Sequence, residues 1–270
     1  ATAAEATIAA LVDGGVREVV VSPGSRNTPL VLAIDQHPNL VAHVVVDERT
    51  AGFFALGLSR ASHAPVALVC TSGSAATHYG PAVAEACHSR IPLVVLTADR
   101  PARLQACGAP QTMDQTGLFA THVRARANFD APTRVADPQV WYRRMSALLT
   151  TCMGMFPGPV HANLRFEKPL WSRQPHAPFC AREPSQPSFK QAVKLAPQPR
   201  DAVASRLAKA SRGVLVCGPK LGVGDTKTSP RLAVAVAKLA AVLGWPVLIE
   251  PLAGCSHAAE LSQCCHTEVK

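Results

Sequence analysis

Through the first 165 residues, short runs of β-branched and aliphatic residues alternate with longer helical patterns, and that alternation permits few folds. Residues 19–22, 41–46, 66–70, 93–97, 122–127 and 160–164 read as strands. Between them, residues 28–34, 50–60, 75–88 and 138–151 are long or periodic enough to be helical. Near-continuous Val/Ile/Leu strands separated by helices indicate a parallel sheet covered on both faces. The expectation is one α/β domain over residues 1–168, built on a six-stranded parallel sheet.

Residues 169–200 break the pattern with seven prolines: Pro169, Pro175, Pro178, Pro184, Pro187, Pro197 and Pro199. Proline removes a backbone donor and fixes φ, so no regular element is expected there and the segment reads as a linker. A second α/β pattern follows over residues 201–270, with helices at 202–210 and 231–243 and strands at 213–217 and 247–250. It is too short to complete a sheet, and an incomplete second domain is expected. The chain opens on Ala1 already in a helical pattern, which suggests a trimmed or processed start. No signal peptide is read at the start.

Composition narrows the partners. The net charge is +9, from 27 Lys and Arg against 18 Asp and Glu. The basic residues are scattered, however, and only 5% of residues are aromatic, so anionic metabolites are a better match than nucleic acid. The apolar stretch 232–249 is interrupted by Lys238 and by Gly244-Trp245-Pro246, which argues against a membrane span. Nine cysteines without regular spacing fit a reducing, cytoplasmic compartment. Cys70 and Cys217 end strand-like runs, where a free thiol packs as a small hydrophobe. The tail residues Cys255, His257, Cys264, Cys265 and His266 match no familiar zinc spacing, and no metal site is assigned.

Four turns carry the chemistry. Val44-Val45-Val46 reads as a buried strand ending in Asp47-Glu48-Arg49, which places a carboxylate where ligands bind in parallel sheets. Glu48 could simply pair with a neighbouring arginine and fasten the turn. The other strand ends are Ser22-Pro23-Gly24-Ser25-Arg26-Asn27, Thr71-Ser72-Gly73-Ser74 and Thr97-Ala98-Asp99-Arg100-Pro101. Each alone is a capped helix start. Together they gather Arg26 and Arg100 at one edge near a carboxylate, an arrangement suited to holding carboxylate ligands.

The segments VSPGSRNTPL, DERTAGFFALGL, CTSGSAATHYGPAVAEA, LTADRP and CGAPQTMDQ resemble the amino-terminal half of one family of thiamine diphosphate enzymes. These are the 2-succinyl-5-enolpyruvyl-6-hydroxy-3-cyclohexene-1-carboxylate synthases of menaquinone and phylloquinone biosynthesis. The likeness covers the first domain and linker and fades near Glu250. It implies a pyrimidine-binding domain in which Glu48 is catalytic and holds the aminopyrimidine ring, with Pro23, Thr71 and Ser74 also on the cofactor. Ser25, Arg26, Arg100 and Gln111 would contact the substrates, 2-oxoglutarate and isochorismate.

The resemblance further implies magnesium or manganese, held mainly by a Gly-Asp-Gly…Asn domain that this chain does not contain. The chain alone is therefore expected to be inactive. It is expected to work as a homo-oligomer or with a complementary diphosphate-binding domain, in the cytoplasm or in a plastid for a photosynthetic eukaryote. The alternatives are another thiamine-dependent 2-oxo acid carboligase, or a non-catalytic fragment acting in assembly. Two departures from the family pattern are His78, where it has Asn, and Pro110, where it prefers Asn before the glutamine. The small residues Ala51, Gly52, Ala55 and Gly57, beside Phe53 and Phe54, are expected to pack against another helix across a subunit boundary.

Overall fold

A computed structural model describes residues 2–131, 137–171, 179–181, 197–218, 228–250 and 253. They fall into two compact units, residues 1–190 and 191–270. In the first unit the elements run α1 (Ala3–Asp13), β1 (Glu18–Val21), α2 (Thr28–Asp35), β2 (Val41–Val44), α3 (Glu48–Ser62) and β3 (Val66–Cys70). After a 3-10 turn, Gly73–Tyr79, come α4 (Gly80–Ser89), β4 (Leu93–Asp99), β5 (Ala125–Phe129), α5 (Pro138–Cys152) and β6 (Val160–Arg165).

The six strands form one sheet in the order β2-β1-β3-β4-β6-β5, and every pairing is parallel. Alternate side chains feed two cores. Val19, Val21, Val69, Leu96 and Leu164 pack with Leu11 of α1, Leu30 of α2 and Met145 of α5. Val20, Leu68 and Val95 pack on the other face with Ala51 and Ala55 of α3, Tyr79, and Val83 of α4. The six-stranded parallel sheet read from the apolar runs is the observed fold.

Strand order reverses between β1 and β3, the place where open parallel sheets form a crevice at their carboxyl ends. Here the turns after those strands touch: a Cβ added at Gly24 would lie 2.4 Å from the Cβ of Thr71.

Several boundaries differ from the sequence reading. β2 stops at Val44 and is an edge strand, not a buried one: Val41, Val44 and Val46 are exposed. The stretch 75–88 is not one helix, because Pro81 has no N–H to continue the hydrogen-bond ladder and a 3-10 turn precedes α4. The strand expected at 122–127 begins at Ala125, after a short 3-10 turn at Ala120–His122.

The second unit contains α6 (Pro197–Lys209), β7 (Leu215–Cys217), α7 (Thr228–Leu243) and β8 (Val247–Ile249). α6 starts at Pro197, inside the stretch expected to be irregular, since proline is tolerated in a helix's first turn. β7 and β8 pair in parallel, and Cys217, Ala233, Ala240 and Val247 form its small core. Cys70 and Cys217 are buried in the apolar cores of their units. Cys255, His257, Cys264, Cys265 and His266 lie outside the described residues.

The sheet centre is not wholly apolar. Thr97 and Asp99 of β4 face Asn163 and Arg165 of β6, and His161 lies beside them at 1% exposure. His161 Nε2 is 2.8 Å from Thr97 Oγ1. Burial, and then the charge of Arg126, lowers the His161 pKa from 6.5 to about 4. The neutral imidazole is the folded form, so the unfolded chain binds more protons below pH 6.5. Stability from this group is complete above pH 6.5 and is lost as pH falls toward 4, by up to about 3 kcal/mol.

Urea unfolding at pH 7.5 and pH 4.5 should show that loss in the wild type and much less of it in His161→Gln; equal losses would refute it. Gly24→Ala should destabilise the fold by about 1–3 kcal/mol through overpacking against Thr71, measured the same way at pH 7.5. An unchanged midpoint would mean the two turns can part freely.

Candidate active site

Glu48 opens α3 directly after Asp47, and the two acids do different work. Asp47 is the cap: its Oδ1 accepts the Thr50 N–H at 2.8 Å and the Thr50 hydroxyl at 2.8 Å. These bonds hold the Asp47 carboxyl below its ordinary pKa, the backbone bond contributing most. Glu48 is half-buried, and among the described residues its carboxylate takes no hydrogen bond and no cation. It does not fasten the turn.

Glu48 instead stands by the end of β3. Burial chiefly pushes up the Cys70 thiol and the Tyr79 phenol, and the charge of Glu48 adds to both shifts. The Tyr79 hydroxyl donates to Ser22 Oγ at 3.4 Å, and Ser22 donates to the Val45 carbonyl at 2.9 Å. The end of β1, the approach to Glu48 and the floor under it are therefore tied together.

The second cluster comes from the turns after β1, β3 and β4. Arg26 is 8% exposed; its N–H donates to Thr71 Oγ1 at 3.3 Å and its Nη1 to the Phe166 carbonyl at 2.9 Å. Arg100 Nη1 donates to Ser72 Oγ and, at 2.6 Å, to the Gln111 carbonyl. Gln111 Nε2 returns a bond to the Ser72 carbonyl at 3.0 Å. Gln111 sits at φ 57°, folded over Gly73, where an added Cβ would meet its Cγ at 2.9 Å.

Burial first, and then the like charge of Arg100, lowers the Arg26 pKa. Glu167 and Asp99 are the carboxylates that act on Arg26. Glu167 is already engaged by Arg103, at 2.7 Å and 3.1 Å. Among the described residues neither Arg26 nor Arg100 has an ion pair. Their guanidinium groups donate only to neutral oxygens, and Glu167 and Asp99 act on Arg26 without an ion pair to it.

The structure thus joins Arg26 with Thr71, and Arg100 with Gln111, while Glu48 lies on the Cys70 and Tyr79 side. Pro23, Ser25 and Ser74 are exposed on the rims. Ser25 and Ser74 offer their carbonyls to Thr28 and Thr77. His78 and Pro110 are also exposed. Ser72, Tyr79, Gln115, Asn163 and Asp99 were not singled out from the sequence. Ser72, Tyr79, Asp99 and Gln115 fall inside the segments quoted from the sequence but received no role there, and Asn163 falls in none of them. Among the described residues no three His, Cys, Asp or Glu side chains could hold a metal ion.

The thiamine pyrophosphate enzyme, N-terminal TPP binding domain family matches residues 1–118. The 2-succinyl-5-enolpyruvyl-6-hydroxy-3-cyclohexene-1-carboxylate synthase of Geobacillus kaustophilus is 44% identical over 260 residues, covering 90% of this chain and 42% of that protein. The synthase of the same name from Thermobifida fusca is 40% identical over 249 residues, covering 92% and 43%. In fold, the chain matches the Rhodococcus jostii RHA1 thiamine diphosphate-dependent 4-hydroxybenzoylformate decarboxylase at a TM-score of 0.72 and 20% identity, covering 93% of this chain and 44% of that one. The chain spans about two-fifths of the length of the curated relatives it matches. Residues 1–118 thus resemble the N-terminal TPP binding domain of thiamine pyrophosphate enzymes, and the chain is similar to part of the 2-succinyl-5-enolpyruvyl-6-hydroxy-3-cyclohexene-1-carboxylate synthases.

Proposed function

We propose that this chain is the amino-terminal part of a thiamine diphosphate-dependent synthase that decarboxylates 2-oxoglutarate and adds the succinyl unit to isochorismate. One observation carries the reading: Arg26 and Arg100 converge on the crevice with only neutral oxygens as partners. Two unbalanced guanidinium groups in a part-buried cleft favour a ligand with more than one carboxylate, and both of these substrates have two. Guanidinium geometry also suits bidentate carboxylate capture.

The residues fit the cofactor. Glu48 offers an unpartnered carboxylate beside the Cys70 and Tyr79 floor, matched to a ring nitrogen that carries a proton. Pro23, Thr71 and Ser74 would complete that wall. When bound, thiamine diphosphate supplies the electron sink that decarboxylation of a 2-oxo acid requires. Glu48 would hold the cofactor's aminopyrimidine ring nitrogen through a hydrogen bond and so govern where its proton resides. Arg26 and Arg100 orient the substrate carboxylates, with Ser25 and Gln111 at their margins. Magnesium or manganese is assigned to a part of the enzyme other than this chain, and the setting is cytoplasmic.

A partner is expected on the outer side of α3. Ala51, Gly52 and Ala55 are used within the domain: Gly52 lies so close to Ala82 that an added Cβ would come within 2.9 Å of its Cβ. Phe53 and Phe54 point outward instead, at 47% and 42% exposure. Those rings, with Val44 and Val46, suit a second copy or a diphosphate-binding domain.

In the enzyme carrying this segment, Glu48→Gln should lower kcat by about 10²–10⁴-fold with little change in fold. Arg100→Ala should raise the KM for 2-oxoglutarate by about tenfold or more, the cost of one charge-assisted hydrogen-bond set. Steady-state kinetics decides both, and an unchanged KM in Arg100→Ala would favour a carboligase with a different substrate.

A further inference from the structure

Gln115 plays no part in the site as described, yet it is fully buried and all its polar atoms are engaged. Its Oε1 accepts the Gly73 N–H at 2.8 Å. Its Nε2 donates to the Ala98 carbonyl at 3.1 Å and to Asn163 Oδ1 at 2.9 Å. Asn163, also fully buried, donates from Nδ2 to Asp99 Oδ2 at 2.9 Å. Asp99 Oδ1 then accepts the backbone N–H of Arg100 at 2.7 Å. A continuous path thus runs from the turn after β3 to the turn after β4.

The direction of every bond in this path is forced. A backbone N–H can only donate, so the oxygen of Gln115 must face Gly73 and its nitrogen must face Asn163. Asn163 must then present its oxygen to Gln115 and its nitrogen to Asp99. Thr97 Oγ1 gives its one proton to Asn163 Oδ1 at 2.9 Å, which leaves His161 Nε2 as the donor to Thr97. No member can reverse without setting two acceptors or two donors face to face, at a site where an unmet polar group is costly.

We propose that Gln115 is a positioning residue: through Asn163 and Asp99 it sets the spacing between the Ser72-Gly73 turn and the Arg100 turn, and so the placement of the Arg100 guanidinium on its ligand. This rests on the reading of Arg100 as a carboxylate-binding group. Arg100 is held at both ends of the path, since its head group bonds to Ser72 Oγ, next to Gly73, and its backbone to Asp99.

Gln115→Glu separates this role from bulk stability. Glutamate can still accept from Gly73, but it presents an acceptor to Asn163 Oδ1 and reverses the polarity of the path. In the 270-residue chain at pH 8, amide hydrogen exchange should leave Gly73 protected and speed Arg100 about tenfold. Calorimetry with 2-oxoglutarate should show a dissociation constant raised about tenfold, the equivalent of one hydrogen bond misplaced. Gln115→Met, of similar volume but apolar, should loosen both amides and serves if the glutamate variant does not fold. Unchanged Arg100 protection in either folded variant overturns the proposal, as does an unchanged dissociation constant in Gln115→Glu. Faster Arg100 exchange where the enzyme carrying this segment never binds 2-oxoglutarate would uphold the path and overturn only the carboxylate reading of Arg100.

Discussion

Parallel strands can satisfy one another's backbone hydrogen bonds only when each connection carries the chain back to the end where it began. That requirement sends every helix of the first unit across a face of the sheet, and it leaves all strand carboxyl ends at one edge. Residues 22, 48, 71 and 100 are far apart in sequence and share that edge for this reason alone. The reversal of order between β1 and β3 lies at that edge, where the turn at Gly24 packs against Thr71. Had any of these strands run antiparallel, its turn would have left the crevice, and no choice of side chains could have returned it.

A sheet buried on both faces would ordinarily be apolar throughout. β4 and β6 depart from this at adjoining positions, where Thr97, Asp99, His161 and Asn163 are all buried. Such groups are tolerable only when their hydrogen bonds are complete, and here the geometry completes them from one strand to the next and on to Gln115. The consequence is rigidity at the carboxyl end of the two strands, beneath the turn bearing Arg100. A more stable apolar packing could fill the same volume, but it would give the turns after β3 and β4 no fixed relation to one another.

The sequence revealed most where a single local rule decided the outcome. Aliphatic runs identified β1, β3 and β4, because strands in the middle of a parallel sheet are apolar on both faces. The same rule misjudged β2: Val41, Val44 and Val46 suggest burial, yet an edge strand has a neighbour on one side only, and nothing local distinguishes an edge valine from a central one. Pro81 did signal the break between the 3-10 turn and α4, but the apolar periodicity around it masked the signal. Arg26 and Arg100 were legible because polar turns after strands converge by topology. Asn163 was not, since a lone asparagine in a strand acquires meaning only from Thr97, Asp99 and Gln115, each at least 48 residues away.

The two adjacent acids at the start of α3 show how a fold divides work between neighbouring side chains. A helix N-terminus leaves backbone N–H groups without partners, and an acidic side chain there is normally drawn into capping them. Had Glu48 been the only acid, its carboxylate would have competed for that role and turned toward the helix. Asp47 removes the competition by taking both the Thr50 N–H and hydroxyl on one oxygen. Ser22 meanwhile holds the Val45 carbonyl and fixes the approach of the chain. With the cap satisfied and the approach fixed, Glu48 is left with no partner of its own, half-buried over Cys70 and Tyr79. The arginines follow the same logic with opposite charge: Phe166, Ser72 and Gln111 hold them by neutral oxygens, so position is secured while charge stays available. In both places the structural work falls to neighbours, which leaves Glu48, Arg26 and Arg100 oriented without an ion pair among the described residues.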